Sequence, residues 1–254
     1  MLAVKKYNIL GLNIKPMSSD QILEYIYSNI TKKQKIVIST GNVHSLNLSY
    51  NDKWLRDFMN STDLIRTDGQ GLRVAAKILY NIDFPQRSTW ADFGWDLFNY
   101  SNKNNYSIYF LGAKEGIAEL AADRVRERYP DLNICGMYNG YFDKNDEHES
   151  NKVIEKINLS KADILIIGFG MPVQEKWIQK YRMEIDTPVV MTGGAVFDYI
   201  SGNLERGPTI LVENGFEWLG RFIVEPRRLW KRYIFGNLLF IIRLIFQKFN
   251  IIKR

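Results

Sequence analysis

The sequence predicts an α/β fold: a mostly parallel, Rossmann-like sheet flanked by helices, with a basic amphipathic helical appendage at the C-terminus. Three observations carry this. Short apolar runs alternate with helical stretches, and glycine turns join them several times over. One run, Ile164-Leu-Ile-Ile167, is four consecutive branched residues, the composition of a strand covered on both faces. The charge is also uneven. From Arg221 to Arg254 nine Lys or Arg stand against one acidic residue, Glu225, a net +8 that leaves the other 220 residues at −2. The division expected is an α/β core over residues 1–202, which carries the chemistry, and an appendage over 203–254.

In order, Tyr7 to Ile14 reads as a first strand with a bend at Gly11. Ser18 and Gln21 have capping-box spacing and open a helix through about Asn29. Lys35 to Thr40 is a strand ending in a hydroxyl residue, followed by Gly41-Asn42 and a helix from about Val43. Asp63 to Asp68 repeats the arrangement, with Gly69-Gln70-Gly71 turning into a helix through Tyr80. Ser107 to Leu111 does so again, with Gly112 and Gly116 framing the start of an Ala-rich helix that ends before Pro130. Leu132 to Met137 is a strand, and Asp143 to Asn158 an acidic loop and helix. After Ile164–Ile167, Gly168 and Gly170 turn the chain and Pro172 pre-sets the first turn of a helix through Trp177 and Lys180. Pro188 to Thr192, followed by Gly193-Gly194, is the last strand.

Right-handed connections place the strand carboxyl ends on one edge. Those ends carry Thr40 and Asn42, Asp68 and Gln70, Gly112 and Gly116, Gln174, and Thr192. A carboxylate and two amides there exceed what sheet packing needs. Asp68 suits a general base within reach of a hydroxyl, and equally suits the cap of the helix that begins near Gly71. Thr40 and Asn42 can bond a sugar or a phosphate, or cap a helix. Gly112-Ala-Lys-Glu-Gly116 is neither a Walker A loop nor a dinucleotide fingerprint, which disfavours a nicotinamide-dependent oxidoreductase. It leaves N–H groups at a helix start where a diphosphate fits.

His44 and His148 have no partner at metal-ligand spacing, and no Asp-x-Asp pair exists, so no metal or other cofactor is expected. Cys135, the single cysteine, reads as a small core residue, consistent with a reducing cytoplasm. The N-terminus lacks the long apolar core of a signal peptide.

The tail interleaves cations and aromatics from Glu217 to Tyr233, where arginines can clamp a diphosphate or form a solvated basic face. A basic tail on an acidic body points away from nucleic acid and toward anionic lipid or phosphate. From Leu238, Ile241, Ile242, Ile245, Phe246, Phe249 and Ile252 recur at helical spacing, interrupted by Arg243, Gln247 and Lys248. That is too broken to span a bilayer and fits an interfacial helix. The competing reading is a helix that packs on the core or against a second copy of the chain.

Together these residues resemble the WecG/TagA/CpsF family of bacterial glycosyltransferases. The resemblance rests on Thr40-Gly-Asn42, Thr67-Asp68-Gly69, Phe110-Leu-Gly112 to Gly116, Gly140-Tyr-Phe142, Gly168 to Trp177, Gly194-Ala-Val-Phe-Asp198 with Gly202, and Glu217-Trp-Leu-Gly-Arg221 through Arg228. It implies a metal-independent, inverting transfer of a sugar from a UDP-sugar to an undecaprenyl-diphosphate-linked acceptor, in teichoic acid, capsule or exopolysaccharide synthesis. In it Asp68 is the general base, Thr40, Asn42 and Gln174 position donor or acceptor, and Tyr141 and Asp198 lie at the nucleotide. Arg221, Arg228 and Arg232 of the tail hold diphosphate. Arg87 falls in the family's Arg-x-x-Gly-x-Asp segment, which reads Arg87-Ser-Thr-Trp90-Ala-Asp92 in this chain. With Trp90 in place of glycine, the transferred hexose is N-acetylmannosamine or another such as glucose or galactose. The protein is expected on the inner face of the cytoplasmic membrane. The alternative is a UDP-sugar-binding or membrane-tethered module of the same fold without catalysis.

Overall fold

The structure is a computed structural model and describes residues 5–85, 89–213, 215 and 217–251, without the side chains at 212, 213 and 228. The branched apolar runs become strands β3 (Ile36–Gly41), β4 (Leu64–Thr67), β5 (Ile108–Gly112), β6 (Ile134–Tyr138), β7 (Ile164–Gly168) and β8 (Val189–Thr192). They form one sheet in the order β4-β3-β8-β7-β5-β6. It is parallel, as expected: Ile36–Ile38 lie opposite Val189–Met191, and β7 runs between β5 and β8. Ile164 to Ile167 are wholly buried, the state their branched run predicts.

The chain forms two compact units: Met1–Ser18, Ser39–Thr89 and Glu205–Arg254 in the first, Ser19–Ile38 and Trp90–Leu204 in the second. The C-terminal segment thus groups with earlier parts of the chain, a division different from a cut at residue 202.

In the second unit the strands are flanked by α1 (Ser19–Thr31), α5 (Trp90–Lys103), α6 (Ile117–Arg128), α7 (Glu147–Ser160), α8 (Val173–Tyr181) and α9 (Val196–Ile200). Phe98, Phe110 and Phe197 form its centre, with ring centroids 5.7 and 4.8 Å apart. Helix α5 was not among the elements read from sequence. Its aromatics and Gly94 are poor helix formers, yet Trp90, Phe93, Gly94, Leu97, Phe98 and Ser101 are buried along one helical stripe. Packing overrides propensity here. Trp90 sits in that core and donates from Nε1 to the Thr192 carbonyl at 2.9 Å.

In the first unit, residues 7–14 are not one bent strand but a hairpin of β1 (Tyr7–Ile9) and β2 (Leu12–Ile14). Leu10 and Gly11 both take positive φ, 49° and 92°, the turn that matches strand twist. The helices of this unit are α2 (Val43–Asn51), α3 (Lys53–Ser61), α4 (Gly71–Tyr80), α10 (Thr209–Glu213), α11 (Glu217–Val224), α12 (Pro226–Trp230) and α13 (Gly236–Lys248), with a π-helical turn at Lys231–Phe235 joining the last two.

Helix α13 docks with its polar residues inward. Arg243, only 7% exposed, donates from Nη1 to Asn47 O and Oδ1 at 3.1 and 2.9 Å and from Nη2 to Asn51 Oδ1 at 2.9 Å, and its guanidinium lies over the Tyr50 ring. Gln247 bonds the hairpin through Leu10 N and Asn8 O. With Phe240 and Leu244 buried beside them, the outward face is left to Leu238, Ile241, Ile242, Ile245, Phe246 and Phe249, all exposed. The residues that interrupt the apolar pattern are the ones that hold the helix down. No helix among the described residues is long and apolar enough to cross a membrane.

Candidate active site

The end of β4 and the start of α2 meet in the first unit. Asn42 caps α2: its Oδ1 accepts from Ser45 N at 3.0 Å while Ser45 Oγ accepts from Asn42 N at 2.8 Å, a reciprocal box. Its Nδ2 remains free to donate elsewhere, and does so to Asp68 Oδ2 at 3.3 Å. The capping reading of Asn42 is therefore met by its oxygen, while its nitrogen is turned to the Asp68 carboxylate.

For Asp68 the readings separate. Helix α4 has Gln70 at its N-cap, with no side-chain bond closing that end. Asp68 does not cap it. The Asp68 N–H donates to Gly41 O at 2.8 Å, which ties the ends of β3 and β4 together, and its half-buried carboxylate is oriented by Asn42. Thr40 is buried at the end of β3, two residues before Asn42.

One charged neighbour was missed from sequence. Arg66 is the largest wholly buried side chain, in a four-residue strand with no exposed position. Burial lowers its pKa to about 10, and the Asp68 charge acts in the opposite direction. Positions two apart along a strand share a face, which sets the Arg66 guanidinium where it interacts with the Asp68 charge. A charged residue inside the run Leu64-Ile-Arg-Thr67 was the available signal. His44, in the first turn of α2, is lowered to about 4 by burial and, second, by Arg232. It is neutral at pH 7, and Arg232 is near enough to act on it. Arg221 is half-buried on α11, while Arg87 and the side chain of Arg228 lie outside the described residues.

Gln174, Gly112, Gly116, Tyr141 and Asp198 belong to the second unit. Gly112 has φ 148°, and a Cβ there would stand 2.5 Å from the Gly168 carbonyl oxygen, so its role is close approach of β5 and β7. Gly116 opens α6 with free space around it and no side-chain cap. Those first-turn N–H groups are the ones that suit an anion. Tyr141 is 73% exposed, and Asp198 Oδ1 accepts from Asn203 Nδ2 at 3.2 Å. Pro172 is the N-cap of α8, not its first helical residue. Among the described residues no three His, Cys, Asp or Glu gather as a metal site. A groove lined by Asn151, Ile154, Glu155, Asn158 and Lys161 holds none of the expected site residues.

Gln174 is buried, its Oε1 accepting from Gly194 N at 3.1 Å and its Nε2 donating to Glu175 Oε1 at 2.8 Å. Glu175 is wholly buried, which raises its pKa from 4.5 to about 7. This shift fixes a sign. Between pH 4.5 and 7 the unfolded chain releases this proton and the folded chain keeps it, so the contribution to stability is full below about 4.5 and falls as pH rises to about 7. The amount is about 3 kcal/mol. Glu175→Gln therefore gains stability over the parent at pH 8 relative to pH 5, read as the difference in urea midpoints. An equal difference at both values would refute the shift.

The sequence model of the Glycosyl transferase WecG/TagA/CpsF family matches residues 7–254. Among curated relatives, the N-acetylglucosaminyldiphosphoundecaprenol N-acetyl-beta-D-mannosaminyltransferase of Bacillus subtilis (strain 168) is 29% identical over 228 residues, 90% of this chain and 86% of that one. The protein of the same name from Bacillus spizizenii is 31% identical over 180 residues, 69% of this chain and 66% of its own length. That of Staphylococcus aureus (strain NCTC 8325 / PS 47) is 25% identical over 229 residues, 89% and 86% of the two chains.

Proposed function

The chain belongs to the WecG/TagA/CpsF family of glycosyltransferases, and from that membership we propose that it moves a hexose from a UDP-sugar to an undecaprenyl-diphosphate-linked sugar. N-acetylmannosamine is the first donor sugar to test, since the relatives are named for its transfer to N-acetylglucosaminyldiphosphoundecaprenol. The observation that carries the reading is the Asp68 carboxylate at the end of β4, oriented by Asn42 and not consumed as a helix cap.

In this reading Asp68 removes the proton from the acceptor hydroxyl as its oxygen bonds to the anomeric carbon. The bond from that carbon to the diphosphate breaks on the opposite face, which inverts the configuration and releases UDP. The Arg66 charge, two residues away, acts on the same site. Thr40, Asn42 and Gln174 position the substrates. Tyr141, Asp198 and the Gly112–Gly116 turn serve the nucleotide. Arg87, Arg221, Arg228 and Arg232 balance the diphosphate charge in place of a metal ion. His44, uncharged at pH 7 beside Arg232, adds no positive charge of its own there.

The outward apolar face of α13 docks on an anionic membrane, at the inner face of the cytoplasmic membrane where a polyprenyl-linked acceptor resides. The experiment is mass spectrometry of products from a panel of UDP-sugars with a synthetic lipid-linked acceptor. A disaccharide-lipid product supports the reading. Saturable UDP binding with no product from any donor leaves the non-catalytic binding module instead.

A further inference from the structure

Glu175 follows Gln174 in the first turn of α8, and neither side chain reaches solvent appreciably, at 0% and 2% exposure. Glu175 Oε1 accepts from Gln174 Nε2 at 2.8 Å, and Gln174 Oε1 accepts from the Gly194 N–H at 3.1 Å. Glu175 Oε2 is buried with no hydrogen-bond partner among the described residues.

A primary amide is nearly symmetric in shape and opposite in chemistry at its two ends. Flipped, the Gln174 amide would turn its N–H toward the N–H of Gly194 and its oxygen toward an oxygen of Glu175. The contact with the Gly194 N–H would be repulsive in either state of Glu175, and the contact with Glu175 whenever its carboxyl is ionised, so the two neighbours together favour one orientation. Gly194 selects the end that accepts, and Glu175 the end that donates. In that orientation one Nε2 hydrogen is used and one remains.

Packing gives no reason for a carboxyl at residue 175. A buried carboxyl with one oxygen unbonded is unfavourable, and an apolar side chain of similar length carries no such penalty. What only an acceptor can supply is a partner for the Gln174 amide. We propose that Glu175 is a positioning residue for sugar transfer, holding the Gln174 amide so that its second Nε2 hydrogen is presented to substrate. This rests on the reading of Gln174 as a residue that positions donor or acceptor. A carboxylate near a helix N-terminus also favours the helix by its charge, and the test separates that role from this one.

The full chain is compared with Glu175→Met, Glu175→Gln, Gln174→Met and the double variant Gln174→Met with Glu175→Met. Transfer to the lipid-linked acceptor and hydrogen exchange at the Gly194 amide are both measured. Glu175→Met lowers kcat about 10²-fold with KM for the donor within about threefold, the scale of a misplaced contact. Glu175→Gln, which keeps an acceptor and loses the charge, stays within about threefold of the parent. The double variant is no slower than Gln174→Met alone, because the two side chains act as one. The Gly194 amide exchanges faster in Glu175→Met. Independent, multiplying losses overturn the proposal, as does a Glu175→Gln variant as slow as Glu175→Met, or unchanged exchange at Gly194. If the parent chain transfers no sugar from any donor, the functional reading fails, and Gly194 exchange still decides whether Glu175 holds the amide.

Discussion

Asp68→Asn abolishes sugar transfer while UDP binding stays within a few-fold of the parent. The substitution keeps size and shape, and the new amide can turn its oxygen to accept from Asn42 Nδ2 as the carboxylate did. The fold around β4 is therefore retained. What is lost is the only change that matters for chemistry, a group able to take a proton. General-base catalysis is worth on the order of 10²–10⁴ in rate, so single-turnover transfer falls by about 10³-fold. UDP affinity, followed by calorimetry, reports groups other than Asp68 and does not move with it. A variant with transfer within tenfold of the parent would remove Asp68 from the base role. A variant that loses UDP affinity in step with transfer would assign it to the fold.

The second large effect concerns the membrane. Replacing Leu238, Ile245 and Phe249 together by serine releases the chain from anionic liposomes without loosening it. All three are exposed, Phe249 most at 70%. Complete burial of such a side chain contributes about 2 kcal/mol. With half of each inserted, three give about 3 kcal/mol, on the order of 100-fold in partitioning. Co-sedimentation with vesicles measures it, and unchanged binding would show that this face meets something else, a second copy of the chain included. Truncation near residue 216 is a poorer experiment. It would also remove Phe240, Arg243 and Leu244, which are buried in the first unit, and so mix release with unfolding.

The sheet was legible because strands covered on both faces are written as apolar runs, unbroken in β5 and β7 and nearly so in β8. The hairpin was not. Residues 7–14 alternate with the same period whether they form one strand or two, and only the positive φ of Leu10 and Gly11 separates the cases. Helix α5 hid behind its composition while its spacing was plain. Arg66 and Arg243 were hidden because a charge within an apolar stretch reads locally as an interruption or a surface position, and the partner that receives Arg243 is distant in sequence. Glu175 stands in a polar run that reads as surface, and its amide partner is one residue away. Asp68 and Asn42 were legible as residues at strand ends. Their bond was not, since it depends on β3 and β4 lying side by side.

Asn42 has one oxygen closing a helix and one nitrogen holding a carboxylate. Local melting and chemistry are thereby coupled in a single side chain. Helix ends open far more often than whole domains, and each opening of the first turn of α2 that swings this amide away also frees Asp68 to rotate. With Asp68 as the base, transfer is expected to fall on heating before the sheet unfolds, read as activity loss that precedes the circular-dichroism transition.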